Sequence, residues 1–331
     1  MEDRPTFRAA FLVPRYWPTW GALGAVWLAV QLPYSWQLRL GRLAGRALRR
    51  LAGKRRRVVA INLRLCFPEL DERERGRLER AVFESVGISI FETGIAWWWP
   101  ERRLRRLVSI EGLEHLEQRD GQGAILLAMH FTTLEIGAGL LSQRVAIDGM
   151  YRAHRNAVFD HVQRRGRERH NPVGIAIARE DVRGMVDRLR AGHAIWYAPD
   201  QDYGIRHGVF VPFFGEPAAT LTTTSKLARY GRARVVPFTQ RRLPGARGYR
   251  LTIHPPLEGF PGGDLEGDAR RINALVEDCV RACPEQYLWL HRRFKTRPPD
   301  EASVYGSAER ERKLRGRALA EQHGGEGGPA P

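Results

Sequence analysis

From Tyr16 to Leu38 no position is charged, and the run YWPTWGALGAVWLAVQLPYSWQL carries four tryptophans and two tyrosines toward its ends. A run of this length with aromatic flanks predicts one membrane-anchoring helix over about 16–38. Pro18, Gln31 and Pro33 shorten its apolar centre. A cleaved signal peptide is disfavoured because no small-x-small site precedes a mature start. A buried amphipathic helix is the second reading. Residues 39–57 follow with nine basic side chains, while Leu40, Leu43, Ala44, Ala47, Leu48 and Leu51 recur at helical spacing. That pattern predicts a basic helix lying in a membrane interface, or a solvated basic face packed on the domain. By the positive-inside rule these charges face the cytoplasm.

Further along, NLRLCFP (62–68) and a charged stretch (69–80) lead into a predicted helix over 81–99 that ends at Trp97, Trp98, Trp99 and Pro100. An alternation of strands and helices then begins. The apolar run 124–129 reads as a strand and 134–141 as a helix, so His130 falls between them. The same logic gives a helix at 181–190 stopped by Gly192, and a strand at 194–198. It also gives a helix at 218–230, strands at 234–239 and 249–253, and a helix at 272–283. This order predicts an α/β domain with a mixed, largely parallel sheet flanked by helices, its active groups at the carboxyl ends of strands. After about Tyr305 the chain turns polar and glycine-rich, and the segment 307–331 is expected to be disordered. The domains expected are therefore an anchor with its basic helix (1–57), a catalytic domain (58–306) and that tail.

The 331 residues carry 54 Lys and Arg against 37 Asp and Glu, a net charge of +17, and only four of the 54 are lysine. Such a charge gathers acidic partners, whether nucleic acid, anionic lipid or an acidic carrier protein. Guanidinium groups also suit phosphate. Cys66, Cys279 and Cys283 form neither an even framework nor a CxxC pair, which argues against a disulfide scaffold and a zinc site.

Three constellations carry candidate chemistry. In HFTTLE (130–135), His130 has the pKa of a general base, and Glu135, one turn into the next helix, can reach back to orient it. Thr132 and Glu135 also read as a capping box. The basic group Arg152, Arg164, Arg165 and Arg167 suits a phosphate clamp or a solvated helix face. In PDQD, Asp200, Gln201 and Asp202 lie in a strand-end loop, where Asp200 is expected to pair with an arginine such as Arg167; with no third acidic ligand nearby, a metal is the weakest use. Cys279 and Cys283, four apart on a helix, read as buried small hydrophobes rather than nucleophiles.

Blocks in order along the chain, PRYWPTW (14–20), NLRLCFPEL (62–70), ETGIAWWWP (92–100), HFTTLE, RGRER (165–169), YAPDQDYG (197–204), VFVPFFG (209–215) and PEQYLWLHRRFKTRP (284–298), resemble the late acyltransferases of lipid A biosynthesis, most closely the lauroyltransferase type. The resemblance implies a glycerol-phosphate-acyltransferase-like fold and a catalytic pair at His130 and Glu135. It implies that Arg167 and Asp200 are needed too, and Arg152, Arg165, Gln201 and Asp202 are placed with them as substrate-binding candidates. The acyl donor it implies is acyl carrier protein, and the acceptor a hydroxyl of the Kdo2-lipid IVA precursor, with direct transfer and no cofactor or metal. The location it implies is the inner membrane, single-pass, with the catalytic domain on the cytoplasmic side, in contact with anionic membrane lipids. A same-fold enzyme acting on a glycerophosphate or another glycolipid is the near alternative. A nucleic-acid or anionic-membrane binding protein is the remote one, and no zinc-finger, RNP or basic-zipper signature supports nucleic acid.

Overall fold

The computed structural model describes residues 6–118, 120–171, 174–178 and 181–306; the tail expected to be disordered lies outside them. The chain opens with four helices, α1 (Trp17–Ala29), α2 (Tyr34–Leu51), α3 (Gly53–Cys66) and α4 (Glu72–Trp98). The short helices α5 (Glu101–Arg105) and α6 (Glu114–Glu117) bracket strand β1 (Val108–Glu111), after which the α/β alternation starts. It runs β2 (Ala124–Leu127), α7 (Leu134–Leu141), β3 (Ile147–Tyr151), α8 (Ala157–Glu168), β4 (Ala176–Ala178), α9 (Val182–Arg190) and β5 (Ala194–Tyr197). A hairpin, β6 (Gly208–Phe213) and β7 (Glu216–Leu221), precedes α10 (Thr223–Gly231), β8 (Arg234–Arg242), β9 (Tyr249–Ile253) and α11 (Leu265–Ala282).

Seven strands form one sheet in the order β1-β9-β8-β2-β5-β3-β4. Every pairing is parallel except β8 with β9, which bears out the largely parallel α/β reading. β2 lies at the centre and is buried on both faces, which is why its sequence is apolar throughout instead of alternating. Its side chains divide the core. Ile125, Leu127 and Met129 face one cluster, and Ala124, Leu126 and Ala128 the other.

The expected anchor is not formed. The uncharged run is split into α1, a turn at 30–33 and α2, and among the described residues no helix is long and apolar enough to cross a membrane. The 13 residues of α1 rise only about 20 Å, against a hydrocarbon core of about 30 Å. The break is held by side chains. Trp99 Nε1 and Gln37 Nε2 donate to the Val30 carbonyl at 2.7 and 2.9 Å, and Gln37 also to Leu32 at 2.7 Å. They satisfy carbonyls that the end of α1 leaves open. The single-pass inner-membrane placement is therefore overturned for this chain.

α2 leaves part of its leucine stripe open as well, although Leu48 packs against the core. The face turned to α4 is Gln37, Leu38, Gly41 and Gly45, while Leu43 and Leu51 are exposed. A Cβ on Gly45 would lie 2.1 Å from the Phe83 carbonyl oxygen, and one on Gly87 2.1 Å from that of Gly41. Glycine at these positions lets the two helix backbones touch.

Other expectations shift in detail. α4 starts earlier than read, at a capping box made by Asp71 and Glu74. The helix read at 218–230 is strand β7 followed by α10. β1, β3, β4 and β6 were not foreseen, and α8 extends well before the charged helix face read at 164–167.

Candidate active site

Strands β2 and β5 are parallel neighbours with Leu127 opposite Tyr197. Three residues beyond each lie His130 and Asp200, so the register alone brings the two side chains together above the strand ends. His130 Nδ1 and Asp200 Oδ1 are 2.6 Å apart, and the His130 backbone N–H donates to Oδ2 at 2.9 Å. Asp200 is buried. Burial pulls the His130 pKa down, but the Asp200 carboxylate outweighs it and the net shift is upward. For Asp200 burial pushes up, the imidazole outweighs that, and the net shift is downward. A carboxylate on Nδ1 fixes the proton there and makes Nε2 the basic nitrogen.

Glu135, in the first turn of α7, belongs to a second pair. Arg167 of α8 donates from Nε to both its carboxylate oxygens at 3.1 Å and from its terminal nitrogen to Oε1, and Trp97 Nε1 donates to Oε2 at 3.3 Å. Burial pulls the Arg167 pKa down, but the Glu135 carboxylate outweighs it and holds it up. α8 can approach Trp97 because Gly166 stands between the arginines: a Cβ there would sit 2.4 Å from the indole.

His130 of the first pair and both Glu135 and Arg167 of the second line one cavity of about 450 Å³, with Arg152, Arg164, Gln201 and Tyr203 also lining it. Much of its wall is apolar, with Leu134, Ala138, Ile147, Met150, Ala176 and Trp196 contributing. An imidazole bonded to a carboxylate thus lies beside a largely apolar cavity and next to a guanidinium held by a carboxylate. Among the described residues no cluster of three or more acidic, histidine or cysteine side chains is arranged to hold a metal.

Residues 4–296 match the sequence profile of the bacterial lipid A biosynthesis acyltransferases. The chain is 45% identical over 308 residues to the lipid A biosynthesis lauroyltransferase of Escherichia coli K12, covering 92% of this chain and all of that one. It is 41% identical over 302 residues to the palmitoleoyltransferase of the same organism, 90% and 98% covered. The chain belongs to the bacterial lipid A biosynthesis acyltransferase family. A 1-acyl-sn-glycerophosphate acyltransferase from Thermotoga maritima overlaps 70% of this chain and 98% of its own, at a TM-score of 0.31 and 15% identity.

Within this acyltransferase the acidic partners differ from those expected. His130 is bonded to Asp200 and not to Glu135, and Arg167 is bonded to Glu135 and not to Asp200. The reason is topological: a carboxylate three residues past the neighbouring strand is nearer the imidazole ring than one held by α8. The capping box at Thr132 is also absent, since Thr132 Oγ1 lies 2.7 Å from Ser85 Oγ and accepts from Arg242 at 3.3 Å. Of the remaining candidates, Arg152 and Gln201 line the cavity, whereas Arg165 is exposed and off it. Asp202 is turned into the protein, accepting from Gly204 N at 2.8 Å and from Thr296 N and Oγ1 at 2.6 and 2.8 Å. Cys279 and Cys283 lie apart from the cavity, and burial pushes each thiol up to about 12, against a nucleophilic role.

His291 went unnoticed as a site residue. It accepts the Asp202 N–H at Nε2, 3.0 Å. Burial, and then His130, lower its pKa to about 4, so it stays neutral beside the His130 imidazole. Its signal was the HRRF sequence at 291–294. Arg242 was missed as well; it lies in a buried network with Glu92 (2.8 Å), Ser85 and Tyr249 under the 130–133 turn.

Proposed function

We propose that this acyltransferase moves a medium-length acyl chain, lauroyl or similar, from acyl carrier protein to a hydroxyl of Kdo2-lipid IVA, with His130 as general base. The observation that carries this is the His130–Asp200 pair at the mouth of an apolar cavity. With its Nδ1 proton held by Asp200, His130 Nε2 accepts the hydroxyl proton as that oxygen attacks the thioester carbonyl. The carbonyl carbon gains the ester bond and loses the carbon–sulfur bond. The proton then passes from the imidazolium to the departing thiolate. Asp200 steadies the imidazolium between these steps. Direct transfer needs no covalent enzyme intermediate.

The cavity beneath would receive the acyl chain, an apolar slot of the usual ligand-pocket size. Arg167, locked by Glu135, and Arg152 supply charge at the mouth, where a phosphorylated acceptor has to lie. Three family relatives that differ in acyl name, the lauroyl-, palmitoleoyl- and myristoyltransferases of Escherichia coli, support an acyl donor.

Contact with an anionic lipid surface is supported by the N-terminal helices. Trp17, Trp27, Leu28, Trp36 and Leu51 are exposed there, and residues 6–68 contain no acidic side chain but twelve basic ones. Exposed apolar groups beside arginines suit a bilayer interface.

The deciding experiment transfers radiolabelled lauroyl from acyl carrier protein to the precursor with purified wild type and His130→Ala. Product with the wild type alone is expected. No wild-type product with any donor length would move the acceptor to another glycolipid or a glycerophosphate.

A further inference from the structure

An acyl cavity needs a floor, and in this protein the floor is set by side chains that are missing. Four glycines, at 139, 149, 166 and 174, line the cavity. At three of them a Cβ meets something solid: Ala96 Cβ at 3.3 Å for Gly139, the Trp97 ring at 2.4 Å for Gly166, and the Ile147 carbonyl oxygen at 2.3 Å for Gly174. Gly166 and Gly174 are held by close packing, and the room at Gly139 is tight. Gly149 differs, because a Cβ built there meets nothing within 4 Å and its φ is not among the positive ones. The space it would enter is the cavity.

Its place in the sheet makes the position informative. Gly149 on β3 is opposite Trp196 on β5, and Trp196 is opposite Leu126 on β2. It therefore lies level with a residue four positions before His130. That is about 13 Å back along the strands and about 10 Å across them. Strand alternation turns Asp148 to the other face, where it is bonded to Arg188 at 2.7 Å. Gly149 is thus far enough from the base to meet the end of a medium-length chain and not its reacting carbonyl.

We infer that Gly149 determines acyl-chain length, its absent side chain leaving the room in which the last carbons of the donor chain lie. This rests on the reading that the cavity takes the acyl group. A side chain at 149 shortens the slot while the mouth, with His130, Asp200, Arg167 and Glu135, stays as it is. Chains that reach the position are then rejected by overpacking, and shorter ones are not.

The test offers wild type, Gly149→Ala and Gly149→Ile an equimolar mixture of acyl carrier proteins loaded with ten-, twelve-, fourteen- and sixteen-carbon chains, with the precursor as acceptor, and reads products by mass. Isoleucine is chosen because a branched residue suits a strand, and far-ultraviolet circular dichroism checks that each variant is folded. The ratio of the wild type's preferred product to the next shorter one should fall about ten- to a hundredfold in Gly149→Ile, the discrimination an apolar pocket achieves, and by less in Gly149→Ala. An unchanged ratio in both folded variants, or an equal loss across all lengths, would overturn the inference while leaving the carrier-dependent reaction intact. An absence of wild-type product from every carrier would overturn the donor reading, and this inference with it.

Discussion

At the residue scale, the division of two carboxylates between two partners organises the site. Asp200 holds His130, and Glu135 holds Arg167. The two roles separate in kinetics. Asp200→Asn removes the charge that raises the His130 pKa, leaving burial to lower it. In the proposed role His130 must be neutral to accept a proton, so activity is expected to rise as pH climbs through the imidazole pKa. In Asp200→Asn that acidic limb should move to lower pH while turnover falls about a hundredfold or more, the order of general-base loss. A pH–rate profile of kcat/KM reads both. Glu135→Gln should also lower turnover, through a loosened Arg167, but leave the limb in place. A shifted limb in Glu135→Gln alone would return the orienting role to Glu135.

The same pair ties stability to pH. The raised His130 pKa contributes stability that is complete below its ordinary value of 6.5 and is lost as pH rises through the folded value. The lowered Asp200 pKa contributes stability present above its ordinary 3.8 and lost as pH falls through its folded value. Wild type minus Asp200→Asn, compared by denaturant unfolding across pH, should therefore show its largest difference between those limits.

At the scale of elements, the 130–133 turn is fastened from below. Arg242 at the end of β8 bonds Glu92 and Ser85 of α4 and reaches Thr132, and Thr132 N donates to the Gln286 carbonyl at 2.7 Å. Arg242 and Glu92 are both buried. Glu92→Leu, which leaves the guanidinium without its charge partner, should cost about 3–5 kcal/mol in urea unfolding. Arg242→Met combined with Glu92→Leu should recover much of that, since paired removal leaves no uncompensated charge. If the double variant is no more stable than the single, the network contributes more than charge balance.

The elements read from the sequence succeeded where local pattern was strong. α7 and β9 fall within the expected 134–141 and 249–253 because compact apolar runs are bounded by clear breakers. Reading failed at 218–230, where alanine and threonine run into a true helix, so one apolar stretch suited both strand and helix. The capping-box pattern occurs at both Asp71 and Thr132. Only the first is formed, because Thr132 is taken by Ser85 and Arg242, contacts 47 and 110 residues away in sequence.

At the scale of the whole molecule, the N-terminal helices replace a span by a surface. Trp17 and Leu28 on α1 are each 64% exposed, and Leu51, on the helix α2 that carries much of the first basic cluster, is 85% exposed. Purified protein should co-sediment with vesicles containing anionic lipid and be released by salt, since each arginine near such a surface contributes about 1 kcal/mol that ions screen. Replacing Arg39, Arg42, Arg46 and Arg50 by glutamine should weaken sedimentation at least tenfold. Equal binding to neutral vesicles would show that apolar contact alone drives the association.

By itself the sequence determined the α/β alternation, the location of His130 and Asp200 beyond strand ends, the basic excess and the family blocks, because each is written in local spacing or composition. Tertiary structure decided the rest. Whether the uncharged run spans a membrane depended on Gln37 and Trp99 reaching the carbonyls of a broken helix. Which acid meets the imidazole depended on the register of β2 against β5, a contact between residues 70 apart. Spacing along a chain specifies which helix turn a side chain occupies; it carries no information about which distant strand comes to lie beside it.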